Sequence, residues 1–271
     1  MKASAPDDVR ARTDPRFTRR RRAVERLRRR KVLVRAAVVG ALGAGAWVAL
    51  WSPLLDVRDV QVVGAVRTRT ADVVAASGVR GGENLLLLST ENVARGARAL
   101  PWVADVDVDR MLPGTVRIKI EERDPAFVLS LGAARWTLDA GGNVLSAGEA
   151  GRGLPVLAGV QVATIEPGIR LVTREAVDAI AVVNSLPESL RRQVQGVFAP
   201  TLERISLKLT DGTIVRYGAA EDIADKNAVL AAVLKRIRAE GLPAAYVDVR
   251  VPSAPAISAT EAGSGTDVSR D

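Results

Sequence analysis

The sequence predicts an α+β protein with one transmembrane helix, then a module in the order β-α-α-β-β, then a second β-rich domain with two helices. Three observations carry this. An apolar run follows an arginine-rich tail, two later segments alternate strictly between apolar and charged residues, and further short strands are interrupted by only two runs of helical period. Of 271 residues, 48% are apolar, enough for a sizeable core.

The net charge is +8, but residues 1–35 hold 14 of the 39 bases and 4 of the 31 acids, so this tail alone carries +10 and the remainder −2. It reads as a largely disordered cytoplasmic segment. From Ala36 to Trp51 no residue is charged, and Ser52 to Leu55 extend the run to Asp56. A helix over 36–54 has about the length needed to cross ~30 Å of hydrocarbon. Trp47 and Trp51 lie one turn apart at its far end, where indoles favour the interface, and Arg35 can snorkel at the near end. The block from Arg19 to Lys31 holds the N-terminus inside by the positive-inside rule and exports everything after Leu55. A signal peptide cleaved near Ala44-Gly45-Ala46 is the rival, but its basic region is overlong and the apolar run continues past the cut. Gly40, Gly43 and Gly45, with Ala36, Ala41 and Ala44, either admit a second helix or make a low-volume anchor. Topology accounts for the basic tail without nucleic acid.

The chain has no cysteine and no histidine. Disulfides, thiolate nucleophiles, histidine bases and nearly all common zinc sites are therefore excluded. Asp105 with Asp107 share one solvent face of a strand, and Glu121 and Glu122 point to opposite faces, so neither pair suits acid–base work. Ser130, Ser146, Ser206 and Lys208 lack any nucleophile motif. No catalytic residue, metal or cofactor is expected, and the protein is not read as an enzyme.

In the exported part, residues 57–64 form a strand ending at Gly64. Thr70 caps a helix stopped by Gly78, and Ser89 or Thr90 caps another ending before Pro101. Between them, SGVRGGENLLLL reads as a chain reversal leading into buried leucines. Val106 and Val108 alternate with Asp105, Asp107 and Asp109. Val116, Ile118 and Ile120 alternate with Arg117, Lys119 and Glu121, and Leu112-Pro113-Gly114 joins the two strands as a hairpin with acids opposite bases. Two helices should cover one side of this three-stranded sheet. After Pro125, strands are expected over 127–131, 135–138, 143–145 and 155–157. A helix follows from Thr173 to before Pro187, then a hairpin turned at Asp211-Gly212, a helix over about 221–239, and a closing strand over 246–251. Residues 253–271 are small and polar and should be disordered.

The stretch from Val57 to Phe127, with VQVVG, SGVRGGENLL and LPWVADVDVDRMLPGTVRIKIEERDPAF, resembles the POTRA module of the bacterial cell-division family FtsQ/DivIB. With the basic tail and single span, the likeness reaches residue 252. It implies a POTRA-like domain over 57–124, a β-rich domain over 125–252, and a non-enzymatic scaffold that gathers division proteins at the septum of the cytoplasmic membrane. Two alternatives remain: a POTRA-type assembly factor for protein export, and a membrane-anchored wall hydrolase.

A terminal strand before a proline-containing tail belongs on a sheet edge, where a partner can add a strand or where side chains merely solvate the edge. The resemblance favours the first. It implies an FtsB-like partner, accompanied by an FtsL-like one, on Tyr246, Val247, Asp248, Val249, Arg250, Val251 and Ser253, with the ladder interrupted at Pro252. It also implies docking on the POTRA strand at Val106, Asp107 and Val108.

Overall fold

The computed structural model describes residues 15–50, 53–242 and 244–258, with side chains from residue 30 onward except at 46, 49 and 50. The first helix, α1, runs from Pro15 to Leu50. Much of the tail expected to be disordered is thus helical. Arginine, alanine and leucine are strong helix formers, no glycine intervenes before Gly40, and Pro15 takes the first position, where its missing N–H goes unneeded. The helix is described as far as Leu50, and residues 51 and 52 of the span expected to reach Leu54 lie outside the described residues. Pro53–Leu55 form a 3-10 turn, because Pro53 lacks the N–H that would continue an α-helix. Among the described residues, no helix is long and apolar enough to cross a membrane. The span expected over 36–54 draws on Ala46, Ala49, Leu50, Trp51 and Ser52, whose side chains lie outside that set.

The module after it contains β1 (Asp59–Val63), α2 (Thr70–Ser77), α3 (Thr90–Arg98), β2 (Val103–Met111) and β3 (Thr115–Glu122), with sheet order β1-β3-β2. Arg69 is the N-cap of α2 and Thr70 its first residue. Gly78 closes it in the left-handed region at φ 70°. On α3 the Ser89 hydroxyl accepts the Asn92 N–H at 3.3 Å, a local cap that the sequence announces. Gly96 brings α3 against α2, since a Cβ there would lie 2.1 Å from the Ala76 carbonyl oxygen. Val106, Val116, Ile118 and Ile120 face inward and are buried. On the outward face Lys119 Nζ stands 3.4 Å from Asp107 and 2.7 Å from Asp109, the charge pairing expected of the hairpin. Glu122, at the end of β3, accepts the backbone N–H groups of Val66, Arg67 and Thr68 and so fixes the loop after β1. Burial alone would raise its carboxyl, but those donations hold it below its ordinary value.

Compactness divides the chain into two units, one of residues up to Asp59 with Arg80–Leu88 and Arg110–Val116, the other of everything else. In the first, the Val57 N–H reaches Glu83 O at 2.8 Å, Gly82 N–H reaches Val57 O at 2.9 Å, and Leu85 N–H reaches Leu55 O at 2.7 Å. The glycine segment is therefore a chain reversal paired along residues 55–57. Its leucines divide: Leu85 is buried, whereas Leu86 and Leu87 face outward. Four consecutive leucines in an irregular segment cannot all point the same way.

The second unit holds a nine-stranded sheet. Its strands are β4 (Pro125–Leu131), β5 (Ala134–Asp139), β6 (Val144–Ala147), β7 (Val156–Ala158), β8 (Val194–Phe198), β9 (Ile205–Leu209), β10 (Ile214–Gly218), β11 (Tyr246–Asp248) and β12 (Ala256–Ser258). The order is β12-β11-β10-β9-β8-β7-β4-β5-β6. Helices α4 (Arg174–Ser185), α5 (Glu188–Arg191) and α6 (Ile223–Glu240) complete it. The core joins Phe127, Leu138, Leu157, Val183, Leu207 and Leu230 in one cluster. Within it, the Tyr217 hydroxyl donates to Asn227 Oδ1 at 3.0 Å, and Asn227 Nδ2 donates to Ser185 O at 3.1 Å, tying β10 and α6 to α4. Three features lie outside the sequence expectation: β8, α5 and β12.

A candidate partner-binding edge

The closing strand forms over Tyr246–Asp248, shorter than the 246–251 expected. It is also not outermost. It pairs in parallel with β10 on one side and antiparallel with β12 on the other. The tail expected to be disordered from residue 253 thus contributes Ala256–Ser258 as a strand, while residues 259–271 lie outside the described set. Pro252 explains the break. With no N–H and a fixed φ it suits a turn, and the Ala254 N–H closes on Val251 O at 3.1 Å. A three-residue Ala-Ile-Ser strand carries no periodicity of its own, so only the pairing reveals it.

Register turns the strands at this end into rows. On the helix-covered face, Leu157, Val197, Leu207, Val215, Val247 and Ile257 stand side by side across β7 to β12. The first five are buried, whereas Ile257 is 40% exposed. The apolar row is complete up to the last strand and unfinished there. Among the described residues no strand lies beyond β12, so its outer side is a sheet edge.

The other face carries the charged row Ser206, Arg216, Asp248 and Ala256. Arg250 grips Asp248 in bidentate fashion, Nε to Oδ1 at 3.0 Å and Nη2 to Oδ2 at 2.7 Å. The Arg216 guanidinium lies 4.6 Å over the Tyr246 ring. Burial would raise the Asp248 carboxyl, but the hydrogen bonds from Arg250 and the charges of Arg250 and Arg216 hold it below the usual carboxylate range. Gly218, at φ 78°, lets the Arg250 stem pass, because a Cβ there would meet Cγ at 3.0 Å. Beside these groups is a polar hollow of about 310 Å³ lined by Glu203, Arg204, Ser206, Arg216 and Arg250. Of its three guanidinium groups, that of Arg250 is already held by Asp248 and that of Arg216 lies over Tyr246.

Of the expected contact residues, Tyr246 and Asp248 are half-buried on the open face, Val247 and Val249 are buried, and Arg250, Val251 and Ser253 are exposed. Val247 and Val249 therefore serve the core. In the three-stranded sheet, β2 is an edge strand, with Val106 buried, Val108 half-buried and Asp107 exposed. Arg98 Nη2 occupies the Val106 carbonyl at 2.8 Å, which blunts that edge.

Residues 55–123 match the model of the FtsQ-type POTRA domain, and residues 133–250 match that of the C-terminal domain of cell division protein FtsQ/DivIB. The cell division protein FtsQ of Corynebacterium glutamicum is 30% identical over 199 residues, covering 73% of this chain and 86% of that one. That of Streptomyces bingchenggensis is 32% identical, covering 88% and 89%. A solved extracytoplasmic domain of the division protein DivIB from Geobacillus stearothermophilus aligns at 19% identity and a TM-score of 0.30, covering 43% of this chain and 97% of that one, too distant a likeness to bear on the fold. Matched in both domains and along most of its length, this chain belongs to the FtsQ/DivIB family of cell-division proteins.

Proposed function

We propose that this chain is a non-catalytic, single-pass scaffold of the division machinery that gathers membrane division proteins at the septum. Its N-terminus lies in the cytoplasm and the domains after Leu55 lie outside the cytoplasmic membrane. The arginine block before Ala36 and the uncharged run after it support that topology. The partner is an FtsB-like segment, accompanied by an FtsL-like one, added as a strand to the exported sheet. The POTRA strand around Val106 to Val108 is a second docking place, available only once Arg98 releases the Val106 carbonyl.

The observation that carries the strand-addition reading is the unfinished apolar row ending at Ile257. An incoming strand on β12 gains backbone hydrogen bonds and covers Ile257, while Tyr246, Asp248 and Arg250 set selectivity from the open face. The test is affinity for a synthetic FtsB-like peptide before and after truncation behind Pro255. Loss of binding by more than about tenfold, about 1.4 kcal/mol, supports β12 as the platform. Tighter binding instead assigns the site to β11, with β12 as an internal competitor. Unchanged binding removes the sheet end altogether.

A further inference from the structure

We propose that Leu54, Leu86, Leu87, Met111 and Leu112 form an apolar shelf that lies in the interface of the bilayer holding the anchor. This rests on the membrane-anchor reading of α1. All five side chains are exposed, Leu87 by 70%, Leu112 by 67% and Leu54 by 65%. Single exposed leucines need no explanation, but five on neighbouring loops make a patch that calls for a covering medium.

The backbone brings them together. Leu85 N–H bonds Leu55 O at 2.7 Å and Arg58 N–H bonds Gly114 O at 2.8 Å; Leu55 is the last residue of the 3-10 turn Pro53–Leu55 and Arg58 lies three residues beyond it. Leu86 and Leu87 therefore lie within two residues of a partner of Leu55, and Leu112 within two of a partner of Arg58. Arg110 Nη2 donates to Leu88 O at 2.7 Å and joins the hairpin tip to the leucine loop. At most ~3.5 Å per residue, Leu86, Leu87 and Leu112 are tethered within about two residue lengths, and Met111 within about three, of a residue bonded to the segment by which the chain leaves α1, to which Leu54 itself belongs.

That continuity selects lipid as the occupant. A protein partner must reach the patch against its own binding entropy, whereas the bilayer is already there by covalent attachment. Arg58, Arg80 and Arg110 lie on the same loops and are exposed, as phosphate headgroups favour, while of the three carboxylates there Asp56 and Glu83 are half-buried and only Asp59 is exposed. The aliphatic side chains then sit at the acyl boundary and the guanidinium groups at the headgroups.

The chain has no cysteine, so single-site labelling is direct. Leu87→Cys, Leu112→Cys and Val39→Cys variants of the whole chain would carry an environment-sensitive fluorophore in nanodiscs of phosphatidylcholine and phosphatidylglycerol, with and without spin-labelled lipid. The expected result is blue-shifted emission and lipid quenching at 87, 112 and 39, each exposed in the native chain. Quenching at 39 but not at 87 or 112 overturns the shelf and leaves the anchor standing. Absence of quenching at 39 removes the anchor, and the shelf with it.

Discussion

At the residue scale, Tyr217 shows how burial converts a local choice into a pH dependence. Its side chain is fully buried, and burial pushes the hydroxyl up to about 12 from an ordinary 10.0. The folded state thus holds this proton more tightly than the unfolded one. The contribution of this group to stability is constant below pH 10.0 and falls as pH rises towards about 12. The expected loss from this group is on the order of 2–3 kcal/mol. Tyr217→Phe should cost about 1 kcal/mol at pH 7 through the lost bond to Asn227, and should lack this share of the alkaline decline. Urea midpoints of both proteins from pH 8 to 12 measure it, and parallel curves would contradict the assignment. The sequence does not single out Tyr217, because its partner Asn227 is held in place by Ser185, 42 residues upstream of Asn227, and only the fold brings the three together.

At the element scale, the α2–α3 pair depends on the missing side chain of Gly96. Alanine there would gain about 1 kcal/mol of helix propensity, but its Cβ would meet a backbone oxygen that cannot swing aside. Overpacking of that kind costs up to about 3 kcal/mol. Gly96→Ala should therefore destabilise by about 2 kcal/mol, read as a lower urea midpoint, and an unchanged midpoint would mean that the helices do not touch there. Which elements were legible follows the same logic. The hairpin β2–β3 and the pair β9–β10 were readable because period-two alternation and the turn residues are local. Strand β8 was not: Gly196 breaks its pattern, yet the glycine serves the pairing with β7, where a Cβ would come within 3.3 Å of Val156 O. Helix α5 has four residues and β12 three, too few for any period to show.

At the scale of the whole molecule, orientation in the membrane is the claim most open to direct trial. Protease added to intact spheroplasts should digest the chain beyond Leu55 and spare residues 1–35. Protection of the larger part until lysis would reverse the topology and with it the scaffold reading. By itself, the sequence determined the charge asymmetry, the order of elements from β1 to β3, the family, and the absence of cysteine and histidine chemistry, since each depends on residue identity or near neighbours. Only the tertiary structure decided which strand ends the large sheet and which leucines face out. The parallel pairings β4–β7, β7–β8 and β10–β11 join segments far apart in the chain, and Ile257 becomes an edge residue only through its pairing with Val247. Burial is a property of what surrounds a side chain, and long-range pairing supplies those surroundings.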